Sequence, residues 1–231
     1  MESEVRDLRL RTGITVPCLV QGEAGAPPLL LLHPWGESRR TFDRLIPLLT
    51  GFRFYAPDLR GQGEADKPEA GYSLGEQAED AAAILDALNV PRAFVVGSSS
   101  GGYVAQQLAV DHPGRVAALV LVGCPLSLRG GTSFANEVDQ LTDPLDEEWV
   151  RDSLSWFPAR HDVPEWFLED RVRDGLRMPA HTWKARIDGS VLKVYPDVGH
   201  LVLWECPERV AEDAAAFLRS QVDALKPRDA P

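Results

Sequence analysis

The chain has 231 residues, 44% of them hydrophobic, and a formal net charge of -11 at pH 7. This length and apolar content predict one domain with a sizeable core. The negative charge argues against nucleic acid or an anionic membrane as a partner, and no apolar run approaches the length that spans a bilayer.

The first half of the chain predicts a hairpin followed by alternating strands and helices. Extended stretches at 5–10 and 14–20 flank Thr12 and Gly13, as in a hairpin. Apolar runs predict strands at 29–32, 52–56, 93–96 and 116–122. Helices are predicted at 39–49, 73–88 and 102–109. This alternation predicts a mostly parallel sheet covered by helices on both faces, an α/β fold.

The helix predicted over 73–88 carries its own start signal. Ser73 and Glu76 have the spacing of a capping box, in which each side chain bonds the other residue's backbone N–H. One face of this helix is apolar, through Leu74, Ala81, Ile84, Leu85 and Leu88. We therefore expect that face to be buried.

The segment Gly97-Ser98-Ser99-Ser100-Gly101 directly follows the strand predicted at 93–96. A strand, a tight glycine-flanked turn and a helix form the context that a G-x-S-x-G nucleophile turn requires. Gly97 and Gly101 leave room for a strained backbone. The pattern predicts Ser99 as a nucleophile with a positive φ or a comparably strained backbone, and a plain glycine-serine loop is the alternative.

A second candidate residue lies near the C-terminus. Residues 191–195 predict a strand, which leads through a loop to His200. A helix then opens near Glu205, with an apolar face formed by Val210, Ala214, Phe217 and Leu218. A histidine after a late strand can act as general base for a serine placed earlier in the chain. A loop histidine without a catalytic role is the alternative for His200.

These segments together resemble the α/β-hydrolase superfamily, over residues 1–125 and 190–224. Residues 29–36 are similar to the family's apolar strand ending in a His-Gly turn, with Pro34 in the glycine's place. Residues 58–63 are similar to its Asp-x-Arg-Gly-x-Gly segment, with Gln62 where histidine is usual. The resemblance implies a capped member with a serine nucleophile, of the esterase or lactonase kind.

The resemblance also implies an oxyanion hole built from backbone N–H groups. One donor would be Ser100, at the helix start, where the helix dipole favours negative charge. The other would be Trp35, in the loop after the strand at 29–32. Pro34 has no N–H, so it cannot serve in that loop.

Residues 126–185 break the strand–helix alternation, and their composition is acidic, aromatic and helical. We expect a helical cap inserted between two parts of the hydrolase core, 1–125 and 186–231. The tryptophans of this segment are Trp149, Trp156, Trp166 and Trp183. They either form the small core of the insertion or also face a substrate.

The resemblance implies a catalytic triad, in which an acid accompanies Ser99 and His200. No residue of this chain is identified as that acid. The family places it after the strand beyond the cap, or after the strand at 116–122, where this chain has no carboxylate. Residues 178–190 run straight into the last predicted strand, so a late strand–helix unit is missing or an internal stretch is absent. Asp197 is a weak substitute for the acid, with Glu205 nearby, and Asp188 is expected at the opposite sheet edge. In a complete chain, the strand at 191–195 should pair with the strand at 116–122.

The sequence therefore predicts a serine hydrolase acting on a small ester, lactone or related acyl substrate. A carbon–carbon bond hydrolase and a ligand-binding or weakly active protein without the acid stay open. The family's dehalogenases and epoxide hydrolases are excluded, because they carry aspartate where Ser99 stands. We expect a small-molecule substrate and no cofactor or metal, and the oligomeric state is open. Three widely spaced cysteines and a charged N-terminus favour a cytoplasmic protein.

Overall fold

The computed structural model describes residues 3–124, 135–156, 159, 161–184, 202–220 and 222. Their strands form one six-stranded sheet, in the order β1-β2-β4-β3-β5-β6. The strands are β1 (Ser3–Arg9), β2 (Thr15–Gln21), β3 (Pro28–Leu32), β4 (Arg53–Pro57), β5 (Ala93–Ser98) and β6 (Val116–Val122).

The pairing pattern confirms the predicted hairpin and the predicted sheet. β1 pairs antiparallel with β2, which pairs antiparallel with β4. The pairs β3–β4, β3–β5 and β5–β6 are all parallel. The carboxyl ends of β3, β4, β5 and β6 consequently lie at one edge of the sheet, where open α/β folds place their functional residues.

The described residues also form eight helices. They are α1 (Leu74–Ala87), α2 (Ser100–Asp111), α3 (Ala135–Asp139), α4 (Glu147–Ser153), α5 (Glu165–Arg177), α6 (Ala180–Lys184), α7 (Val202–Glu205) and α8 (Pro207–Ser220). Short 3-10 turns lie at Arg39–Phe42, Ile46–Leu48, Pro113–Arg115 and Leu154–Trp156. In the part of the chain that the structure describes, no helix is long and apolar enough to cross a lipid bilayer.

Two apolar clusters, one on each face, show that the sheet is covered on both sides. Leu30 and Leu32 pack with the buried faces of α1 and α2. Leu29 and Leu31 point the other way and pack with α8 and the 3-10 turns after β3. All four leucines are fully buried, and each contributes about 1.5–3 kcal/mol through burial.

Helix α1 begins as the sequence predicts. Ser73 Oγ accepts from Glu76 N at 3.3 Å, and the Glu76 carboxylate accepts from Ser73 N at 3.1 Å, which completes the capping box. On the predicted apolar face, Ala81, Ile84 and Leu85 are buried. Leu74 and Leu88 are half-buried against the same cluster.

The prediction of one continuous helix over 39–49 is wrong. The chain forms two 3-10 turns there, Arg39–Phe42 and Ile46–Leu48. An α-helix through this segment would need an N–H at position 47 to bond the carbonyl of Asp43, and Pro47 has none. Its ring would also clash with that carbonyl, so the helical bonding stops and a tighter turn replaces it.

The described residues between 135 and 184 are helical or irregular, and none of them pairs with the sheet. The division of the chain into a core and a cap stays a prediction. The last predicted strand, 191–195, and its pairing with β6 lie outside the described residues.

Candidate active site

Ser99 occupies the turn between β5 and α2 with a strained backbone. Its φ is 49° and its ψ is -119°, and among the described non-glycine residues only Asn89 shares a positive φ. The turn is held from both sides, because Ser99 N donates to Val122 O at 2.8 Å and Gly102 N donates to Ser99 O at 3.0 Å. The predicted positive φ at Ser99 is confirmed. Such strain persists only where surrounding structure enforces it.

The glycines on either side of the turn have no room for a side chain. A Cβ on Gly97 would lie 2.5 Å from Gly102 Cα. A Cβ on Gly101 would lie 2.3 Å from Leu32 O and 2.5 Å from His33 O. The first turn of α2 therefore packs directly on the end of β3, and this contact brings the loop after β3 beside Ser99.

The two residues predicted to donate to an oxyanion lie in direct contact. Trp35 N donates to Ser100 Oγ at 2.5 Å, a bond that joins the loop after β3 to the first residue of α2. Ser100 N is in the first turn of α2, where backbone N–H groups have no partner within the helix. Both residues are half-buried.

His33 holds the loop after β3 in place. Its Nδ1 lies 2.7 Å from Pro34 O, and its Nε2 accepts from Leu59 N at 2.9 Å. These partners assign the neutral tautomer with the proton on Nδ1. Complete burial lowers the pKa of His33, which keeps the ring neutral. With both nitrogens engaged, His33 connects two loops and is unsuited to act as a base.

Gln62 fixes the next residue of the same loop. Its Oε1 accepts from Gly36 N at 2.8 Å, while its side chain is buried. This is the position where the resemblance leads us to expect histidine. The Gly36 N–H is thus paired with a buried side chain, whereas the partner of the Trp35 N–H is the half-buried hydroxyl of Ser100.

Asp58 and Arg60, from the same motif, have structural partners. The buried Asp58 carboxylate accepts from the backbone N–H groups of Arg39 and Glu64, both at 2.8 Å. Arg60 forms a buried two-point ion pair with Asp80 of α1, at 2.6 and 2.7 Å. The motif thus ties the loops at the carboxyl edge of the sheet to each other and to α1.

Cys124, just after β6, also lies under the turn. Its Sγ is 3.6 Å from Gly97 O, and the side chain is 2% exposed. Burial raises the pKa of this thiol to about 11. A protonated, enclosed thiol is a poor nucleophile, so Cys124 is unsuited to that role.

Polar contacts between the loop after β3 and α5 were missed from the sequence. Glu37 Oε1 lies 3.1 Å from Arg171 Nε, with side chains 4% and 8% exposed, and Glu37 Oε2 accepts from Thr41 Oγ1 at 2.6 Å. Asp174, one turn further along α5, is buried beside Ser38. No local pattern signals the contacts that Glu37 and Ser38 make with α5, because the partners of each contact are more than 130 positions apart in the chain.

Asp174 provides a prediction for stability against pH. Burial, with Asp58 and Glu37 nearby, raises the pKa of this carboxyl from 3.8 to about 6, although Ser38 and Arg177 oppose the shift. Between these pH values the folded state binds the proton and the unfolded state does not, so this group lowers stability as pH rises. We expect Asp174→Asn to match the wild type near pH 4 and to exceed it by on the order of 2 kcal/mol at pH 7.

Urea unfolding at both pH values measures this difference. Asp152→Asn, at an exposed position on α4, is the matched control and should shift neither curve. A constant gap between Asp174→Asn and wild type from pH 4 to pH 7 would contradict the raised pKa.

Aromatic side chains from the described helices meet the loop after β3. The ring centroids of Trp35 and Trp183 are 5.0 Å apart, those of Trp183 and Trp149 5.3 Å, and those of Trp149 and Trp156 5.5 Å. A cavity of about 40 Å³ lies beside three of these rings, those of Trp35, Trp156 and Trp183. Its lining consists of Trp35, Gly36, Val150, Ser153, Leu154, Trp156, Arg171, Gly175 and Trp183. The cavity therefore adjoins the loop that carries the predicted oxyanion donor.

Most of the remaining predicted site residues are not among the residues that the structure describes. His200, Asp197 and Asp188 lie outside the described residues. Glu205 lies at the end of α7, where its Oε2 accepts from His161 N at 3.1 Å. Within the described ranges, no group of three or more His, Cys, Asp or Glu side chains has the geometry of a metal site.

The architecture defines an α/β protein whose mostly parallel sheet carries a strained serine turn at its carboxyl edge. A family model for the α/β hydrolase fold matches residues 27–166. The chain belongs to this family.

Several named proteins are similar to this chain. The magnesium-chelatase 30 kDa subunit of Rhodobacter capsulatus is 30% identical over 231 aligned positions, which cover 85% of this chain and 78% of that protein. The 2-hydroxymuconate semialdehyde hydrolase of a Pseudomonas species is 35% identical over 127 residues, 53% of this chain and 41% of the relative. The chain spans about 35 to 40% of the length of several other curated relatives that it matches.

Solved structures share the fold. An esterase from a Rhodococcus species superposes with a TM-score of 0.77 at 22% identity, over 94% of this chain and 99% of the esterase. At that identity the likeness concerns the fold alone, and it confirms the α/β-hydrolase architecture predicted from the sequence.

Proposed function

We propose that this protein is a serine hydrolase that cleaves a small ester, lactone or related acyl substrate, with Ser99 as the nucleophile. The observation that carries the proposal is the positive φ of Ser99, 49°, at the junction of β5 and α2. Such a turn presents a serine hydroxyl above the sheet edge, at the N-terminus of a helix. Ser99 is also only half-buried, whereas the neighbouring Ser98 is buried, with 7% of its surface exposed.

In the proposed reaction, His200 takes the Ser99 hydroxyl proton as Ser99 Oγ bonds to the substrate carbonyl carbon. The oxyanion that forms is stabilised by the N–H groups of Ser100 and Trp35, each worth about 2.7–4 kcal/mol of barrier. The bond to the leaving oxygen then breaks, and that oxygen takes the proton from His200. Water then attacks the acyl-enzyme through the same steps, with His200 again taking and returning the proton, which releases the acid and restores Ser99. The triad acid is unassigned, with Asp197 as the weak candidate.

Covalent labelling tests this proposal. A fluorophosphonate probe should react with the wild type and with Ser98→Ala, and peptide mapping should place the adduct on Ser99. The Ser99→Ala protein should not react. A labelled Ser99→Ala protein, or a wild type that the probe leaves untouched, would contradict the proposal.

The size of the cavity leads to a further prediction, on the acyl chain. A space of about 40 Å³ beside Trp35 suits a group of a few heavy atoms. We expect Leu154→Ala, which removes lining atoms, to raise the butyrate-to-acetate ratio of kcat/KM about tenfold with p-nitrophenyl esters.

Leu176→Ala is the control for this prediction, because Leu176 lies on α5 but is 37% exposed and does not line the cavity. Equal ratios in wild type, Leu154→Ala and Leu176→Ala would show that the acyl group binds elsewhere.

One finding favours a second candidate, a ligand-binding protein with the hydrolase fold and little turnover. The relative that aligns with 85% of this chain bears the name of a chelatase subunit. A wild type that binds small acyl compounds but neither hydrolyses esters nor reacts with the probe would favour this candidate. The named semialdehyde hydrolase similarly keeps carbon–carbon bond hydrolysis as a third candidate, to be tested by substituting a vinylogous diketone for the ester.

The proposed substrate is a small molecule, and neither nucleic acid nor a membrane surface is proposed as a partner. Cys18 and Cys124 are buried free thiols, which fits the cytoplasmic location that the sequence predicts.

A further inference from the structure

The hydroxyl of Ser100, the third serine of the turn, occupies the place where the substrate oxyanion would bind in the proposed reaction. Ser100 Oγ accepts the hydrogen bond of Trp35 N at 2.5 Å. Under the proposed function, that same N–H must donate to the oxyanion of the substrate. A backbone N–H has one proton, so a strong bond to the hydroxyl and a strong bond to the oxyanion exclude each other.

The surrounding contacts hold the backbone on both sides of Trp35 N in place. His33 joins Pro34 O to Leu59 N, and Gln62 Oε1 holds Gly36 N at 2.8 Å, so the residues on both sides of Trp35 are fixed. Gly101 packs against Leu32 O and His33 O, which fixes the start of α2 against the same loop. The backbone is thus preorganised, and the Ser100 side chain is the movable part of the pair.

We propose that the Ser100 hydroxyl is an internal ligand of the oxyanion site, one that a substrate must displace by rotation about χ1 before Trp35 N can stabilise the transition state. Ser100 is a positioning residue that restrains turnover in the resting protein. The inference rests on the proposed function, because it concerns the same two backbone donors.

The expected consequence is an increase in activity when the hydroxyl is removed. Ser100→Ala frees Trp35 N at no cost to α2, because alanine is a good helix former. An ordinary hydrogen bond has a net worth that corresponds to about a two- to tenfold change in rate, so kcat/KM for p-nitrophenyl acetate should rise by that factor. The gain should appear in kcat, because the oxyanion forms only in the transition state.

Ser100→Thr is the matched variant, since it retains a hydroxyl at the same atom position, and it should lack the rise in kcat that Ser100→Ala shows. If Ser100 had only a structural role, Ser100→Ala would have a lower activity than the wild type and not a higher kcat. Amide hydrogen exchange, followed by NMR, provides a readout without substrate. Trp35 N–H should exchange at least about tenfold faster in Ser100→Ala than in the wild type or in Ser100→Thr.

The outcomes separate the two proposals. A higher kcat together with faster Trp35 exchange in Ser100→Ala supports the inference. An active enzyme whose Ser100→Ala variant has unchanged or lower kcat, or unchanged Trp35 exchange, overturns the inference alone. Absence of turnover and of fluorophosphonate labelling in all three proteins overturns the proposed function and the inference together.

Discussion

Ser99→Ala should lower kcat for a short-chain ester by at least about 10³-fold, because the alanine has no oxygen to form the acyl-enzyme. A residual rate above the uncatalysed reaction is expected, since the backbone donors can still polarise a bound carbonyl. The measurement is the release of p-nitrophenol from the acetate ester under saturating conditions. The fold should be unchanged, because Ser99 contributes to the turn through its backbone N and O atoms.

Ser98→Ala is the control for this prediction. It removes a hydroxyl one position away, at the end of β5, and should retain activity within about threefold of the wild type. Loss of activity in Ser98→Ala with full activity in Ser99→Ala would show that Ser98, and not Ser99, is the nucleophile. Near-wild-type activity in both variants would remove the serine mechanism altogether.

Gly101→Ala should destabilise the protein by about 3 kcal/mol or more, the largest stability effect we predict for a single methyl group. The added Cβ would lie 2.3 Å from Leu32 O and 2.5 Å from His33 O. Both atoms belong to backbone that cannot rotate away, so β3 and α2 must separate. Urea unfolding followed by tryptophan fluorescence measures the change, and labelling of Ser99 should be lost in parallel.

Gly75→Ala is the matched substitution. Gly75 lies in the first turn of α1 and has nothing within 4 Å of an added Cβ. Alanine is the better helix former, so this variant should be as stable as the wild type or more stable by up to about 1 kcal/mol. Equal unfolding midpoints for Gly101→Ala, Gly75→Ala and wild type would contradict the close packing of α2 on β3.

Two of the effects predicted above, those of Asp174→Asn and Ser100→Ala, differ in kind from these. The pH dependence of Asp174 follows from burial of a charge, and it would appear even in a protein without enzymatic activity. The gain expected in Ser100→Ala depends on one hydrogen bond, between Trp35 N and Ser100 Oγ. Measuring both therefore separates the stability of the fold from the chemistry of the proposed site.

Local patterns in the sequence determined the strands, α1 and the turn at Ser99. The capping box of Ser73 and Glu76 and the glycines around Ser99 act over three or four positions, so the residues that decide the outcome are neighbours in the chain. The apolar alternation of strands and helices likewise predicts the sheet, because each segment's burial follows from its own periodicity. The family resemblance extended the prediction to the loops after β3 and β4.

Only the tertiary structure decided which distant side chains meet. Glu37 and Arg171 each look like solvated charges in the sequence, and they become a buried pair because α5 packs on the loop after β3. The contact of Trp35 N with Ser100 Oγ depends on how closely α2 approaches β3, which the absence of a side chain at Gly101 permits. The interaction of a charge or a hydrogen-bonding group depends on distance in space, whereas periodicity and turn chemistry act along the chain. That physical difference explains why the candidate nucleophile could be predicted from sequence and the occupied state of its neighbouring donor could not.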